Sequence, residues 1–236
     1  MQKNKIGSFD GQEKAYSNFA NNSFSWKYLE EPALEKMFYS LVNKNSRVLD
    51  AGCGMGRSTG WLKKFGFNPD NIVGMDSNPI LLEAARHAQG DVDFKLGNIA
   101  DDKNFQTQTF DVILSSMVLD SLDQETLPRV LSNFSYWLKE NGCLILLVGH
   151  PIRLVYPNLE NYFTAKSASF PKSAWGQSFT AYHHTFAAYL NGIVGAGLVI
   201  EKIDEPSLPP ESERDNPAEY RRYSQYPSRL LVRAKK

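Results

Sequence analysis

Apolar residues fall into two rhythms along this chain. Short apolar runs of strand length occupy 47–50, 71–75, 92–96, 110–115, 143–148, 198–203 and 228–233. Between them, apolar residues recur every three or four positions, the spacing of one face of a helix. Such faces are predicted at Leu34, Met37, Phe38, Leu41 and Val42; at Trp61, Leu62 and Phe65; and at Ile80, Ala84, Ala85 and Ala88. Two more follow, at Leu127, Val130, Leu131, Phe134 and Leu138, and at Phe186, Tyr189, Leu190, Ile193 and Val194. Punctuation agrees with these limits: Gly66 stops one helix, Asn78-Pro79 caps and starts the next, and Asn141-Gly142 ends the fourth.

Strand and helix alternate with short connections through 47–149, which predicts an α/β fold: a mostly parallel sheet with helices on both faces. Two stretches break the alternation. Residues 150–182 have no period and carry Tyr156, Tyr162, Phe163, Phe170, Trp175, Phe179 and Tyr182. Residues 205–226 are rich in proline and charge, and read as a loop joining the last two strands as an antiparallel pair at the sheet edge. The expected organisation is one domain over 1–236, with a helical cap at 1–45 and a substrate lid inserted at 150–182.

Composition narrows the function. Apolar residues make up 42% and charged residues 22%, with 26 basic against 26 acidic side chains. No global field draws the chain to nucleic acid or an anionic membrane. The longest apolar run, 143–148, is far too short to span a bilayer. The two cysteines, Cys53 and Cys143, lack metal-ligand spacing and read as reduced thiols of a cytoplasmic protein.

The chemistry begins at the end of the first strand, in Asp50-Ala-Gly52-Cys53-Gly54-Met-Gly56-Arg57. A glycine-rich turn between a strand and a helix lets the backbone approach a ligand closely. A dinucleotide loop would carry its third glycine at position 57, where Arg57 stands, and would not place a carboxylate just ahead of a pyrophosphate. The order Asp50, Gly52, Gly54, Gly56 disfavours NAD and suits a phosphate-free ligand with a cationic amino group. Asp76 ends the second strand, where an acidic residue reaches ribose hydroxyls; Asn78 serves better than Asp76 as the helix cap. Asn98 and Ile99 follow the third strand and suit an adenine ring, and Ser115 and Ser116 open at the same edge from the fourth.

The segments VLDAGCGMG, VGMDSNP, GNIADD and FDVILSSMVLDSL resemble, in order and spacing, the motifs of class I S-adenosylmethionine-dependent methyltransferases. The resemblance covers about 47–149. It implies a Rossmann-like three-layer sandwich: a seven-stranded, mostly parallel sheet with an antiparallel last strand. It also implies S-adenosylmethionine (SAM) across the strand ends. Asp50, Gly52 and Gly54 then hold the methionine portion, with Cys53 and Arg57 beside them. Asp76 and Ser77 take the ribose, Asn98 and Ile99 the adenine, and Ser115 and Ser116 lie near the sulfonium. Tyr16, Phe19, Trp26 and Tyr28 resemble an N-terminal aromatic segment that folds over SAM, with Tyr16 as the contact.

The C-terminal part resembles a small-molecule subgroup through "GHP", "YHHTFAAYLNGIVGAGLVIEKIDEP" and "YPSRLLVRAKK". It departs where the subgroup has a histidine, here Asp120, and an arginine, here His184. Candidate bases for deprotonating an acceptor are His150, His183, His184 and Asp120; His87 reads as a surface group in mid-helix. The expected activity is methyl transfer to an O or N nucleophile of a small hydrophobic or aromatic molecule, by a monomer or homodimer. The alternatives are a nicotinamide-dependent oxidoreductase and a non-catalytic SAM-binding protein.

Overall fold

The computed structural model describes residues 19–20, 23–39, 43, 45–170 and 179–236. Its frame is a seven-stranded sheet in the order β3-β2-β1-β4-β5-β9-β8. The strands are β1 (Val48–Ala51), β2 (Ile72–Asp76), β3 (Asp93–Leu96), β4 (Phe110–Ser116), β5 (Leu138–Gly149), β8 (Val199–Asp204) and β9 (Arg229–Lys235). All neighbours among β1 to β5 are parallel, while β9 runs antiparallel to both β5 and β8. The strand order reverses between β1 and β4, and sheets of this kind bind ligands beyond the carboxyl ends at such a switch point.

Alternation along the strands sorts the core into two layers. Val112 and Leu114 of β4 pack with α1 (Glu31–Phe38), α2 (Arg57–Phe65) and α3 (Pro79–Ala88) through Leu34, Met37, Phe38, Trp61, Leu62, Leu82 and Ala85. Ile113, one residue out of phase, faces α4 (Thr126–Trp137) and α6 (Phe186–Gly195) through Leu127, Leu131, Phe134, Tyr189 and Ile193. The expected three-layer sandwich is present. Leu41 and Val42 lie outside the described residues.

Three sequence expectations are corrected. Helix α4 stops at Trp137, because Leu138 is extended (ψ 138°) and pairs with Phe110; Asn141 (φ 63°) and Gly142 fall inside β5 at a register irregularity. The stretch 205–226 is not all loop: α7 (Ser212–Asp215) is followed by α8 (Pro217–Ser224), whose cap Asn216 accepts from Glu219 N–H at 3.1 Å. The stretch 150–182 contains α5 (Pro151–Val155) and an antiparallel pair, β6 (Ser167–Phe170) and β7 (Phe179–Tyr182). Trp175 lies outside the described residues.

A buried ion pair ties the N-terminal segment to the last strand. Arg229 donates Nε and Nη2 to Glu30 Oε1 at 2.8 and 2.6 Å, and Ser25 Oγ donates to the same oxygen at 2.9 Å. Both partners are nearly inaccessible, Glu30 at 2% and Arg229 at 3%. Burial opposes ionisation of Glu30, but Arg229 and then Arg57 hold its carboxyl below the usual range. Removing one member strands a buried charge, so Glu30→Ala is expected to cost about 3–5 kcal/mol, read as a lower denaturation midpoint. A loss under about 1 kcal/mol would show that the pair is solvated.

Candidate functional site

The crevice is made by the carboxyl ends of β1, β2, β3 and β4. Directly after β1, Gly52 (φ 80°), Gly54 (φ 54°) and Gly56 (φ 86°) all take left-handed backbone, which a Cβ would strain. The chain thereby doubles back, and Gly52 and Cys53 both donate their N–H to Met75 O, at 2.7 and 3.0 Å. Gly52 has a second requirement: a Cβ there would stand 2.4 Å from Val118 Cγ2. The loop after β4 thus closes on the loop after β1.

Asp76 is fixed by the backbone it faces. Its Oδ2 accepts from Gly54 N–H and its Oδ1 from Asn78 N–H, both at 2.8 Å. Asn78 caps α3, accepting from Ile80 and Leu81 N–H, so Asp76 is spared that task. Burial raises the Asp76 carboxyl above its usual range despite those donors. Ser77 beside it is exposed.

Asp50 differs from the open ligand expected of it. It is fully buried, and its carboxylate takes Ser58 Oγ at 3.0 and 2.8 Å and Thr59 Oγ1 at 2.5 Å. Burial pushes its carboxyl up to about 6, and the nearby Asp76 charge adds to the rise. Its carboxylate oxygens are thus engaged by Ser58 and Thr59 rather than open to the crevice. Ser58 and Thr59 are partners of Asp50 that the sequence reading missed; a hydroxyl pair in the first turn, eight and nine residues beyond the aspartate, was the available signal.

Arg57 begins α2, with its guanidinium 4.4 Å over the Trp26 ring and 3.4 Å from Glu30 Oε2. Tyr28 turns away from the crevice to Asp215 and Phe24, and Tyr16 lies outside the described residues. Beyond β3, Asn98 is exposed and folds its Oδ1 onto Ala100 N–H at 2.9 Å, while Ile99 is buried. The Ser115 and Ser116 hydroxyls are buried without a hydrogen-bond partner among the described residues. Successive strand residues face opposite sides, so these two orphans serve different surroundings.

The candidate bases lie over β4 and β5. Asp120 is buried in the turn after β4, and burial raises its carboxyl above the usual range. A Cβ on Gly149, at the end of β5, would lie 3.1 Å from Arg153 Nη1 and 3.5 Å from Asp120 Oδ2. Glycine keeps that gap open. His150 caps α5: its Nδ1 accepts from Ile152 N–H at 3.2 Å, so Nε2 carries the proton and donates to Glu205 at 2.6 Å. Both ring nitrogens are engaged, and His150 positions rather than accepts. His183 and His184 give Nε2–H to the carbonyls of Tyr162 and Leu122, each at 2.8 Å, which leaves both Nδ1 lone pairs to their surroundings. The His183 Nδ1 is buried and unpartnered, and both histidines line a cavity of about 620 Å³ under the 162–166 segment. Burial lowers the basicity of His184.

An acid at each of the first two strand ends, a left-handed glycine loop and two orphan hydroxyls at the end of β4 fit the adenosyl, ribose and amino-acid parts of SAM. Residues 48–142 match the methyltransferase domain family. An uncharacterized protein of Haemophilus influenzae is 26% identical over 99% of this chain and 98% of its own length. A putative S-adenosylmethionine-dependent methyltransferase from Listeria monocytogenes shares the fold with a TM-score of 0.70 at 23% identity, covering 88% of this chain and 98% of that one. A putative methyltransferase in complex with the Haloferax volcanii Trm112 methyltransferase activator also gives 0.70, at 16% identity over 98% of this chain and 96% of that one. The chain thus carries a segment that matches the methyltransferase domain family, on a fold it shares with S-adenosylmethionine-dependent methyltransferases. Among the described residues, no helix is long and apolar enough to cross a membrane, and no group of three or more His, Cys, Asp or Glu is placed to hold a metal ion.

Two outcomes are expected of the crevice. Asp76→Ala should weaken SAM binding about 10- to 100-fold, the scale of a lost charged hydrogen bond, in a chain whose circular dichroism is unchanged. Unchanged calorimetric affinity would displace the cofactor from this crevice. Asp50 is ionised above its value of about 6 and neutral below it. SAM affinity should therefore fall as pH drops through that value, and Asp50→Asn should flatten the profile; a flat wild-type profile would remove Asp50 from cofactor binding.

Proposed function

We propose that the chain methylates an O or N nucleophile of a small molecule, working as a monomer or homodimer without nucleic acid. The observation that carries this reading is the placement of Asp120 and Gly149 at adjoining strand ends, with His183 and His184 behind them. SAM supplies an electrophilic methyl and leaves as a neutral thioether. The work left to the protein is alignment, exclusion of water and removal of the acceptor's proton.

In this reading Gly52, Gly54 and Cys53 face the amino-acid portion and Asp76, with Ser77, the ribose. Ile99 and Asn98 border the adenine, Ser116 lies nearest the sulfonium, and Ser115 supports it from the strand. Arg57 closes the loop through Trp26 rather than touching the reacting atoms. Asp120 is the base: its raised carboxyl has the basicity to take a proton as the nucleophile advances. His184 acts through Asp120 as a positioning group. His183 faces the lid cavity, where the described lining mixes Tyr162 and Phe163 with Gln124, Thr164 and Lys166. That mixture supports an acceptor with both ring and polar character over a purely hydrophobic one.

The test is turnover of SAM, followed as S-adenosylhomocysteine release, over a panel of phenols, amines and their carboxylated relatives. Asp120→Asn should reduce kcat about 10²- to 10⁴-fold on any acceptor found, with SAM affinity held. Tight SAM binding with no turnover of any acceptor would favour a non-catalytic SAM-binding protein, and no SAM binding at all would end the reading.

A further inference from the structure

The segment from Tyr162 to Lys166 is fastened to the junction of β7 and α6 by hydrogen bonds. Lys166 O accepts from His183 N–H at 2.9 Å and from Gln124 Nε2 at 3.2 Å, and Gln124 Nε2 also donates to His183 O at 3.0 Å. Tyr162 O accepts His183 Nε2–H, and Tyr162 Oη accepts Phe186 N–H, each at 2.8 Å. The walls of the cavity of about 620 Å³ are thus set before any ligand arrives, at a size that suits a small molecule.

One ring nitrogen is left out of this fastening. A carbonyl only accepts, so Nε2 of the neutral His183 ring carries the proton and Nδ1 presents a lone pair. His183 is 2% exposed, and its Nδ1 is buried with no hydrogen-bond partner among the described residues. A buried acceptor left unpaired is costly, and a donor brought to it restores that cost. Two donors of the same lining are engaged elsewhere: Gln124 Nε2 by the carbonyls above, and Thr164 Oγ1 by Asn161 O at 3.5 Å. Lys166 is exposed, and burying its ammonium against a neutral ring would cost it hydration. Phe163 lines the same cavity at 86% exposure, with the Tyr162 ring edge-on to it at 5.1 Å between centroids. A ring this open gains apolar burial from a flat group laid on it.

We propose that this cavity holds the methyl acceptor by an aromatic ring bearing an O–H or N–H, with the ring against Phe163 and the donor on His183 Nδ1. The inference rests on the methyltransferase reading and names the substrate class for that site. The cavity extends towards Asp120 through His184, which lines it and lies close enough to Asp120 to feel its charge. In this arrangement His183 reads one donor, which stays unmethylated, while a second O–H or N–H of the same acceptor is the nucleophile presented to Asp120. The spacing of the two groups on the ring sets which position is methylated.

The test uses the full chain saturated with S-adenosylhomocysteine. Phenol against anisole, and indole against N-methylindole, are titrated by calorimetry; each pair keeps its ring and differs in the donor. At least one donor-bearing probe is expected to bind about tenfold tighter than its methylated partner, the scale of a buried hydrogen bond. The pair that discriminates separates an aryl hydroxyl from a ring N–H. His183→Gln keeps a donor for Tyr162 O and removes the lone pair, so it should erase the discrimination. Phe163→Ala, at an exposed position, should weaken both members of the pair and keep their ratio. In imidazole nitrogen NMR spectra of the wild type, the donor-bearing probe should move an unprotonated ring resonance upfield and its partner should not, which reads the contact even if His183→Gln does not fold. Equal binding within both pairs, binding of no probe, an unmoved spectrum, an unaffected Phe163→Ala, or discrimination that survives in His183→Gln overturns the proposal. A wild type that fails to bind S-adenosylhomocysteine overturns the methyltransferase reading itself, which is a distinguishable result.

Discussion

The site depends on a backbone constraint: the chain must leave β1 and turn back over the sheet within five residues. Left-handed glycines at 52, 54 and 56 make the turn, and Met75 O at the end of β2 anchors it through two N–H donors. That anchoring sets where Asp76 meets Gly54 N–H and where α2 begins. Because a Cβ at Gly52 would collide with Val118, the same turn fixes the loop after β4, and with it Asp120. The crevice beyond β1 and β2 and the turn that carries Asp120 are therefore registered to each other by one turn of backbone.

The second organising feature is how charge is buried. Glu30 and Arg229 lie 199 residues apart in sequence and meet almost wholly buried. A buried pair of this kind adds little net stability over an apolar pair of the same volume, but it is intolerant of losing either member. Its value here is positional. Glu30 reaches Arg57 at the start of α2 as well as Arg229 at the start of β9, so the N-terminal segment, the glycine loop and the last strand share one carboxylate.

Much of the fold was legible because strand burial leaves a strong mark: β1, β2, β4 and the inner part of β5 are nearly continuous apolar runs. The glycine turn and the strand-end acids were legible for a related reason, since they are local in sequence. Leu138 was misread because its spacing continues a helical face, while its pairing with Phe110 depends on a partner far away in sequence. Helix α8 was overlooked inside a proline-rich stretch, although Asn216-Pro217 carries the same cap-and-start signal that located α3 through Asn78-Pro79. The Glu30, Arg57, Arg153, Asp120 and Arg229 cluster left no mark at all. Its members come from five separate segments, and no periodicity connects them.

The titrating acids show that the site is held against stability rather than by it. Burial raises Asp50, Asp76 and Asp120 above their unfolded values, so the folded chain binds those protons more tightly. Their contribution favours the fold at low pH and is lost as pH rises, through a window that for Asp50 runs from 3.8 to about 6. Glu30 runs the opposite way: its lowered value contributes stability above the unfolded 4.5, which is lost as pH falls through the folded value. At neutral pH the fold is thus braced by the N-terminal carboxylate while three aspartates strain towards protonation. Arg153 and Arg229 already lower the Asp120 carboxyl, and burial still outweighs them. A buried acid at a strand end is thus destabilising at neutral pH, and any cation that reached it would gain what the fold has lost.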